Sequence, residues 1–417
     1  MEEVSRAVMD FKETTDFIKG FYFNIADSLD EDVEESRIEN NISKKTSNFL
    51  VENAQEIRTN SEYLRNRENI FEDIYVGREN KVHVNFEEEK IENRGEDPDD
   101  ITKHTNNVVS LYRGREALLK AALVDLASSI EDFFRDVMSI RFEKRPQALS
   151  SDEEVFSLND INAFESISEA KSRFKETKVR NVLRESFGEW VEYTKNDIGL
   201  DMEYMSHKMG EIIELFQRRN IFIHNRGFVN SQYSTKVSEN YSENTNLGER
   251  LKIDKKYISD KVNISLGMVT LIGLELWEHL GGDNSQRLKF ADSMLDVYAK
   301  NKNFYITRDI GMFLWKDEAA TAGYTDIGKL NYWMSQKRLG NWDSVEEEIL
   351  DEDYSAKRPR IRLPYLSLCE NEDKFAELLP KALKSEEITE EEIYSYPIFM
   401  EMRGVDRIEG ILEEDNE

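Results

Sequence analysis

Three polar residues near the end of a predicted helix have the side chains best suited to chemistry in this sequence. The segment Gly210–Asn230, GEIIELFQRRNIFIHNRGFVN, contains Arg219, Asn220 and His224. Asn220 and His224 lie four positions apart, so they share one helical face. The long side chain of Arg219 can swing towards the same face. A histidine that titrates near neutral pH beside a permanent cation suits attack by a ribose 2′-hydroxyl on the neighbouring phosphate.

In that chemistry each of the three side chains has a role. His224 would act as general base or general acid, and it lies in the last helical turn, where unpaired carbonyls favour the imidazolium. Arg219 would offset charge on the pentacoordinate phosphorus, and Asn220 would orient the histidine or the phosphate. Gly227 is predicted to end the helix in the left-handed conformation. Further polar residues in a supporting position are Arg218, Asn225 and Arg226.

A simpler interpretation of the same residues stays open. Many helices end in Arg, Asn or His before a Gly, because these residues satisfy the terminus and complement the helix dipole. A short pattern of Arg, four residues and His also has many accidental matches. The surrounding elements are therefore needed to choose between a site and a helix cap.

The elements around this segment are predicted to be helices. The stretch that begins at Asn106 has apolar residues at helical spacing over about eight turns, and Pro146 marks its end. A strongly apolar helix is predicted from about Asp254 to Leu280. Candidate core positions of the long helix are Leu111, Leu118, Leu119, Ala122, Leu126, Ile130, Phe133, Phe134, Val137 and Ile140.

These features resemble the HEPN superfamily. Its nuclease members carry Arg, a polar residue and then His, and here Arg219, Asn220 and His224 match that motif, followed by Asn-Arg-Gly. SSIEDFF, at 128–134, looks like the opening helix of the HEPN four-helix bundle, and HNRGFVNSQY is similar to HEPN proteins of the RiboL-PSP and related defence groups. The resemblance covers roughly residues 106–282.

The resemblance implies a metal-independent endoribonuclease without a cofactor, usually a homodimer with two motif copies facing across the interface. It also implies a role in phage defence or a toxin–antitoxin system, with an antitoxin or other protein as partner. Glu131, on the first helix of the bundle, is carried over as a supporting residue near the site. The expected products are a 2′,3′-cyclic phosphate and a 5′-hydroxyl.

Three regions are predicted along the chain, giving a mainly α protein. Residues 1–105 form a helical extension with Val8, Phe11, Phe17, Ile18 and Phe21 as candidate core positions, a hairpin around residues 77–80, and a charged linker over residues 86–104. Residues 106–282 form the bundle. Residues 283–417 form a domain of short helices, loosely solenoid-like and punctuated by Gly323, Gly328 and Gly340.

Composition limits the class of protein. The chain has 56 basic and 85 acidic residues, for a net charge of −29, which disfavours a general nucleic-acid binder but permits a local positive cleft. One cysteine, Cys369, excludes an internal disulfide and makes a zinc site improbable. The acidic beginning and the short apolar run Ile264–Trp277 predict neither a secretory signal nor a membrane span. We therefore expect a cytoplasmic protein.

Two basic clusters are candidates for contacts with RNA. KSRFKETKVRNVLR, at 171–184, has six basic residues and one acid, and KRPRIR, at 357–362, is the second. A solvated face or pairing with carboxylates explains both clusters equally simply. In the first cluster the phosphate contacts would come from Lys171, Arg173, Lys175, Lys178 and Arg180.

Other signals of chemistry are weak. Neither a Gly-rich phosphate loop nor a Gly-x-Ser-x-Gly motif occurs, and the remaining histidines have no partner at metal spacing, so no metal ligands are predicted. Two hypotheses follow. The first is a dimeric HEPN endoribonuclease flanked by helical domains, and the second is a non-catalytic HEPN module that serves dimerisation or binds a protein partner.

Overall fold

The computed structural model shows a mainly helical protein, which confirms the predicted fold class. The described residues are 2–40, 42–44, 47–48, 50–51, 71–76, 82–86, 97–149, 164, 166–206, 208–238, 241 and 245–414. His207, one of the histidines without a partner at metal spacing, lies outside them.

Helices and strands follow in this order along the chain. They are α1 (Glu2–Phe17), α2 (Phe23–Glu39), β1 (Phe71–Val76), β2 (Val82–Phe86), α3 (Pro98–Lys144), α4 (Ile167–Leu183), α5 (Phe187–Tyr193), α6 (Met209–His224), α7 (Ser231–Lys236), α8 (Lys255–His279), α9 (Asn284–Lys300), α10 (Phe304–Lys316), α11 (Ala322–Arg338), α12 (Glu346–Leu350), α13 (Pro359–Leu368), α14 (Glu372–Lys384), α15 (Glu390–Ser395) and α16 (Asp406–Glu414). Short π-helical segments at Ile18–Tyr22 and Thr194–Ile198 follow α1 and α5.

The chain divides into two compact units, and neither is one continuous stretch of sequence. The first unit contains residues 1–12, 129–216 and 260–417, and the second contains residues 13–128 and 217–259. The three predicted regions are consecutive segments, whereas these units are interleaved along the chain. The end of α6, with Arg219 and His224, belongs to the second unit.

Helix α3 begins where the sequence predicts a linker. Asp97 caps it, since its carboxylate accepts a hydrogen bond from the amide of Asp99 at 2.8 Å and its carbonyl accepts one from Ile101 at 3.0 Å. Pro98 takes the first helical position, where its missing N–H has no intrahelical partner to lose. The linker prediction is therefore wrong for residues 98–104, and the predicted boundary at residue 105 falls inside a helix.

The predicted hairpin is confirmed. β1 and β2 pair antiparallel, with Tyr75 opposite His83 and Val76 opposite Val82. The turn residues 77–81 lie outside the described part of the chain.

The predicted apolar face of the first helix holds only in part. Val8, Phe11 and Ile18 are buried, but Phe17 and Phe21 are 52% and 47% exposed. At about 100° per residue Phe17 lies about 180° from Val8, so even regular helical spacing places it on the opposite face. Phe21 lies inside the π-helical segment Ile18–Tyr22, where the 3.6-residue spacing no longer holds. Phe17 and Phe21 stack on each other instead, with ring centroids 5.1 Å apart.

Aromatic rings fill part of the core of the first unit. The ring of Phe216, from α6, lies 5.5 Å from that of Phe187 and 5.3 Å from that of Trp190, and Phe134 of α3 lies 5.7 Å from Phe187. Edge-to-face and stacked contacts of this kind add stability beyond the buried area. Most predicted core positions of α3 are buried: Leu119, Ala122, Leu126, Ile130, Phe133, Phe134, Val137 and Ile140.

Two glycines allow α10 and α11 to approach each other closely. A Cβ atom at Gly311 would lie 2.9 Å from the carbonyl oxygen of Gly328, and one at Gly328 would lie 2.6 Å from the amide nitrogen of Trp315. Gly328 therefore lies inside α11 for a packing reason, and the prediction that it separates two helices is wrong.

Buried ion pairs stabilise the first unit. Arg287 is fully buried and pairs with Asp317 at 2.8 Å and Glu278 at 2.9 Å. Lys261, 4% exposed, pairs with the buried Glu214 at 2.9 Å. A buried charge without its partner costs several kcal/mol, roughly 3–5. Each pair therefore resists separation of the helices that contribute its two side chains.

The apolar run of α8 is buried, as its sequence predicts. No helix among the described residues is long and apolar enough to cross a membrane.

Candidate functional site

The predicted catalytic residues occupy the last turns of α6, which ends at His224. Ile221 and Phe222 are buried and fix this end of the helix in the second unit. Arg219 and Asn220 are half-buried, and His224 is exposed. The imidazole is therefore accessible to solvent, as a general acid or base acting on a polymer must be.

The helix ends in two consecutive left-handed residues. Arg226 has a φ of 55° and Gly227 a φ of 88°, which confirms the left-handed conformation predicted at Gly227. The carbonyl of Ile221 accepts hydrogen bonds from the amides of Asn225 at 2.8 Å and Gly227 at 3.0 Å. A side chain at Gly227 would meet the ring of Phe222, whose Cε1 would lie 3.0 Å from the new Cβ.

The loop after α6 is fastened to a second segment of the chain. The amide of Leu251 donates to the carbonyl of Gly227 at 2.9 Å, and the amide of Val229 donates to the carbonyl of Glu249 at 2.8 Å. A further bond joins the amide of Gly248 to the carbonyl of Val229 at 2.9 Å. These bonds fix the position of the residues that follow His224.

Arg250 is a positioning residue that the sequence did not reveal. Its Nε donates to the carbonyl of Arg226 at 3.1 Å, and its Nη2 forms a short ion pair with Glu116 of α3. The two paired side chains are 11% and 15% exposed. Burial lowers the pKa of the Arg250 guanidinium. Arg250 therefore ties the end of α6 to α3 within the second unit.

Arg219 and Asn220 contact each other directly. Nη1 of Arg219 donates to Oδ1 of Asn220 at 3.0 Å. Nε of Arg219 is buried and has no hydrogen-bond partner in the part of the chain that the structure describes. Because the guanidinium has five N–H donors, it keeps several for an anion. The Asn220 amide fixes one side of that guanidinium.

The residues on either side of His224 complete the exposed end of the site. Nδ2 of Asn225 donates to the carbonyl of Phe228 at 2.5 Å, so this amide stabilises the turn. Arg226 is exposed, and only its main-chain carbonyl is bound by Arg250. Ile223 is 41% exposed beside the imidazole.

Arg218 lies in the interior. It is 1% exposed, its Nη1 donates to the carbonyl of Lys252 at 2.6 Å, and its guanidinium carbon lies 4.0 Å from the ring centroid of Tyr257. A direct contact with a substrate would require it to leave these partners. The structure therefore gives Arg218 a supporting role in holding α6 to residues 252–257.

Glu131 lies in the first unit, on α3, whereas the three motif residues lie in the second. It is half-buried and forms an ion pair with Arg135 at 3.3 Å. Its predicted role in the site therefore depends on the resemblance alone.

The basic cluster of α4 is partly neutralised by carboxylates. Lys175 pairs with Glu143 at 2.6 Å, and Arg173 lies 3.9 Å from Glu176. Both pairs are partly or fully solvent-exposed, so each stabilises the helix only weakly. Pairing with carboxylates, the simpler interpretation of this cluster, accounts for these two residues.

The other members of the cluster differ among themselves. Lys171 is exposed. Nζ of Lys178 lies 5.9 Å from the ring centroid of Phe142, and Nη2 of Arg180 lies 3.5 Å from Oγ1 of Thr177. All five basic residues lie in the first unit, whereas the motif residues lie in the second. The geometry of the motif therefore gives no information on the predicted contacts of these residues with RNA.

A cavity of about 220 Å³ adjoins the loop that follows α6. Its lining includes Tyr112, Glu116, Phe222, Arg250 and Lys252, all of the second unit.

Metal ligands do not gather in the described ranges: no group of three or more His, Cys, Asp or Glu residues there could hold an ion. Two histidines that the sequence left without a role have structural partners. His104 is buried between the hydroxyls of Ser36 and Ser47, each at 3.0 Å, and the main-chain carbonyl of His279 accepts a bond from Arg145 at 2.5 Å.

No family model, no curated protein and no solved structure matched this chain. Function is therefore inferred from the side chains of the site and from their chemistry.

Proposed function

We propose that this protein is a HEPN-type endoribonuclease that cleaves RNA through attack by the 2′-hydroxyl, without a metal ion. The observation that carries the proposal is the arrangement at the end of α6. There an exposed His224 follows a half-buried Arg219 whose Nη1 is held by Asn220 at 3.0 Å. A histidine that served only to pack a core would be buried instead.

The arrangement supplies the groups that the reaction needs. The O2′–P bond forms while the P–O5′ bond breaks, so one proton must leave the 2′-hydroxyl and another must reach the departing 5′-oxygen. An exposed imidazole can do either, because its ring nitrogens can both accept and donate a proton. The products are a 2′,3′-cyclic phosphate and a 5′-hydroxyl.

Arg219 is suited to the charge that develops on phosphorus. The bond from its Nη1 to Asn220 limits the rotation of the half-buried guanidinium. A donor that is fixed before the reaction stabilises the transition state without reorganisation. Asn220 therefore acts on the phosphate through Arg219, and it is a positioning residue.

One copy of the motif supplies one imidazole. The two proton transfers are best served by two histidines, and the HEPN resemblance implies a homodimer in which two motifs face each other. We propose that a second copy of this chain supplies the second His224, and that the third region, residues 283–417, is a short-helix domain attached to the nuclease bundle. Phage defence or a toxin–antitoxin system is the proposed setting.

The test is cleavage of labelled RNA by the purified full-length protein. We compare the natural chain with Arg219→Ala and His224→Ala, and with Lys236→Ala as the matched control, because Lys236 is an exposed cation of the second unit on α7. His224→Ala should lower the rate by at least about 100-fold, the scale of general acid–base catalysis. Lys236→Ala should cleave normally, and EDTA should leave the rate unchanged.

Specific outcomes contradict the proposal. Cleavage that persists in His224→Ala at the natural rate removes the imidazole from the mechanism. Strict dependence on an added metal ion contradicts the metal-independent reaction. End-group analysis that finds a 5′-phosphate contradicts 2′-hydroxyl attack.

A second function, a non-catalytic dimerisation or binding module, is favoured by a different observation. Ile223 and Phe228 are 41% and 37% exposed on either side of the helix end, and Leu247 of the same unit is 69% exposed. Exposed apolar side chains around one loop are typical of a surface that another protein covers. If Ile223→Ser dissociates a dimer while neither the natural chain nor any variant cleaves RNA, the binding module is the better description.

A further inference from the structure

A cavity of about 410 Å³ lies in the C-terminal part of the first unit. The motif residues of α6 belong to the second unit and are distant from the cavity residues in sequence. Residues of α9, α11, α13 and the turn at 397–402 line it. Its volume falls in the range typical of small-molecule sites. Leu330, Pro364, Ile388 and Phe399 give it a buried apolar wall.

Two carboxylates of α9 line the same cavity, and they differ in their partners. Asp296 pairs with Lys300 at 2.9 Å and accepts a hydrogen bond from the hydroxyl of Tyr396. Asp292, one helical turn before it, is half-buried and makes neither a hydrogen bond nor a salt bridge within the described ranges of the chain. Burial, and then repulsion by Asp296, raises the pKa of Asp292, and the charge of Arg360 offsets only part of this rise. A further positive charge beside Asp292 would stabilise its ionised form.

The lining also contains a buried side-chain amide whose oxygen accepts no hydrogen bond from the described residues. Asn331 is 5% exposed, and its Nδ2 donates to the carbonyl of Ile327 at 3.0 Å. Its Oδ1 is buried and has no hydrogen-bond partner among the residues that the structure describes. Native proteins rarely leave a buried acceptor unpaired, and such a group at a cavity indicates a missing donor.

The cations that line the cavity do not supply that donor. Arg360 is exposed and is bound by the carbonyl of Glu387 at 2.9 Å and by Glu392 at 2.9 Å. Lys289 is exposed, and within the described structure it forms no salt bridge with Asp292. The lining therefore presents an acceptor-rich surface beside an apolar wall.

We propose that this cavity binds a small organic cation, a protonated amine carried on an apolar or aromatic body. The ammonium group pairs with Asp292, and the apolar body lies against Leu330, Pro364 and Phe399. A further N–H of the ligand, or a water molecule between them, satisfies Oδ1 of Asn331. An anion of the same shape is excluded by the two carboxylates. This site is independent of RNA cleavage and does not depend on the proposed nuclease.

The test uses three probes with one ring and three charges. Tryptamine is cationic, tryptophol is neutral and indole-3-propionate is anionic. Each is titrated into the full-length protein by isothermal calorimetry at neutral pH. Tryptamine should bind at one site, and the other two should bind at least about tenfold more weakly, the ratio expected for loss of one charge-assisted hydrogen bond.

Variants of the chain locate the site. Asp292→Asn keeps the shape of the side chain and removes its charge, so it should weaken tryptamine by about tenfold. Ser293→Trp adds bulk at an exposed residue of the lining and should block binding without changing a buried side chain. Asp343→Asn removes an exposed carboxylate outside the lining and should bind as the natural chain does. Thermal unfolding without ligand confirms that each variant folds.

Several results overturn the proposal. One is tryptamine affinity that is equal in Asp292→Asn and in the natural chain. Others are equal affinity for the three probes, or absence of tryptamine binding. Many weak sites that disappear at raised salt mean that the acidic surface alone attracts the amine.

Discussion

Replacing Gly227 with alanine tests how the end of α6 is held. Gly227 has a φ of 88°, and a Cβ there would lie 3.0 Å from Cε1 and 3.2 Å from Cζ of Phe222. Phe222 is 4% exposed, so its ring has little room to move. Two effects therefore add at one position, a strained backbone and an overpacked ring.

The two effects can be separated by a matched control. Gly248 has a φ of 85° in the same unit, but a Cβ there meets nothing within 4 Å. The left-handed conformation costs a non-glycine residue about 1–2 kcal/mol, which applies to both variants. Overpacking a filled site costs about 1–3 kcal/mol more, which applies only to Gly227→Ala. We expect Gly227→Ala to lose about 2–5 kcal/mol and Gly248→Ala about 1–2 kcal/mol.

The assay is urea denaturation followed by circular dichroism, with RNA cleavage measured on the same samples. Gly227→Ala should also slow cleavage, because the carbonyl of Gly227 holds the amide of Leu251 at 2.9 Å and so fixes the chain next to His224. Equal free energies of unfolding for the two variants would show that the Phe222 ring yields freely. In that case the close packing around Gly227 has no energetic weight, and the reasoning fails.

Three other perturbations have outcomes that the structure sets. Arg287→Met leaves Asp317, 2% exposed, without its countercharge, so we expect a loss of about 3–5 kcal/mol in urea denaturation, largely restored when Asp317→Leu is added. Burial lowers the pKa of His104 from 6.5 to about 4, so its neutral form stabilises the fold fully above pH 6.5. That stability, about 3 kcal/mol, is lost as the pH falls towards 4, and unfolding curves of His104→Gln over this window should lack the loss. Arg250→Met breaks the pair with Glu116 and the bond to the loop after α6, and it should slow RNA cleavage although Arg250 touches no substrate; an unchanged rate would contradict its positioning role.

Local patterns in the sequence were sufficient for the end of α6. A glycine after polar residues predicts a left-handed ending, which Gly227 has. This feature depends only on neighbours a few residues away. The hairpin of β1 and β2 is predictable for the same reason, since its strands are adjacent in sequence.

The partners of the site could not be predicted, because they come from distant parts of the chain. Arg218 and Arg219 are adjacent residues of one type, and nothing in their order indicates that the first is buried against Tyr257 while the second keeps a free Nε among the described residues. The difference arises because successive helical residues point about 100° apart. Arg250 reaches the site through a loop, and no spacing rule links it to Glu116.

The helix boundaries show where periodicity misleads. Gly328 looks like a helix breaker by residue type, but it lies inside α11 because the backbone of α10 approaches it there. Phe17 lies about 180° around the helix from Val8, so its apolar type alone made it look like a core residue. Phe21 lies in the π-helical segment, where the 3.6-residue spacing does not apply. The error on Gly328 comes from tertiary packing, which a single sequence does not encode locally.

The acidity of the chain and a phosphate-binding site on it are compatible because they act over different distances. The rise from Arg219 to His224 is about 8 Å along the helix, and at 0.1 M salt charges interact strongly only within about 10 Å. A phosphate at the end of α6 therefore responds mainly to the cations beside it, while the net charge of −29 acts at longer range and is largely screened. Of the four arginines around the helix end, Arg218 and Arg250 are bound to main-chain carbonyls, which leaves Arg219 and the exposed Arg226 as the arginines that can meet an incoming phosphate. The affinity for RNA then depends on a few phosphate contacts at the site. Elsewhere the acidic surface repels RNA, so non-specific binding to the rest of the protein is weak.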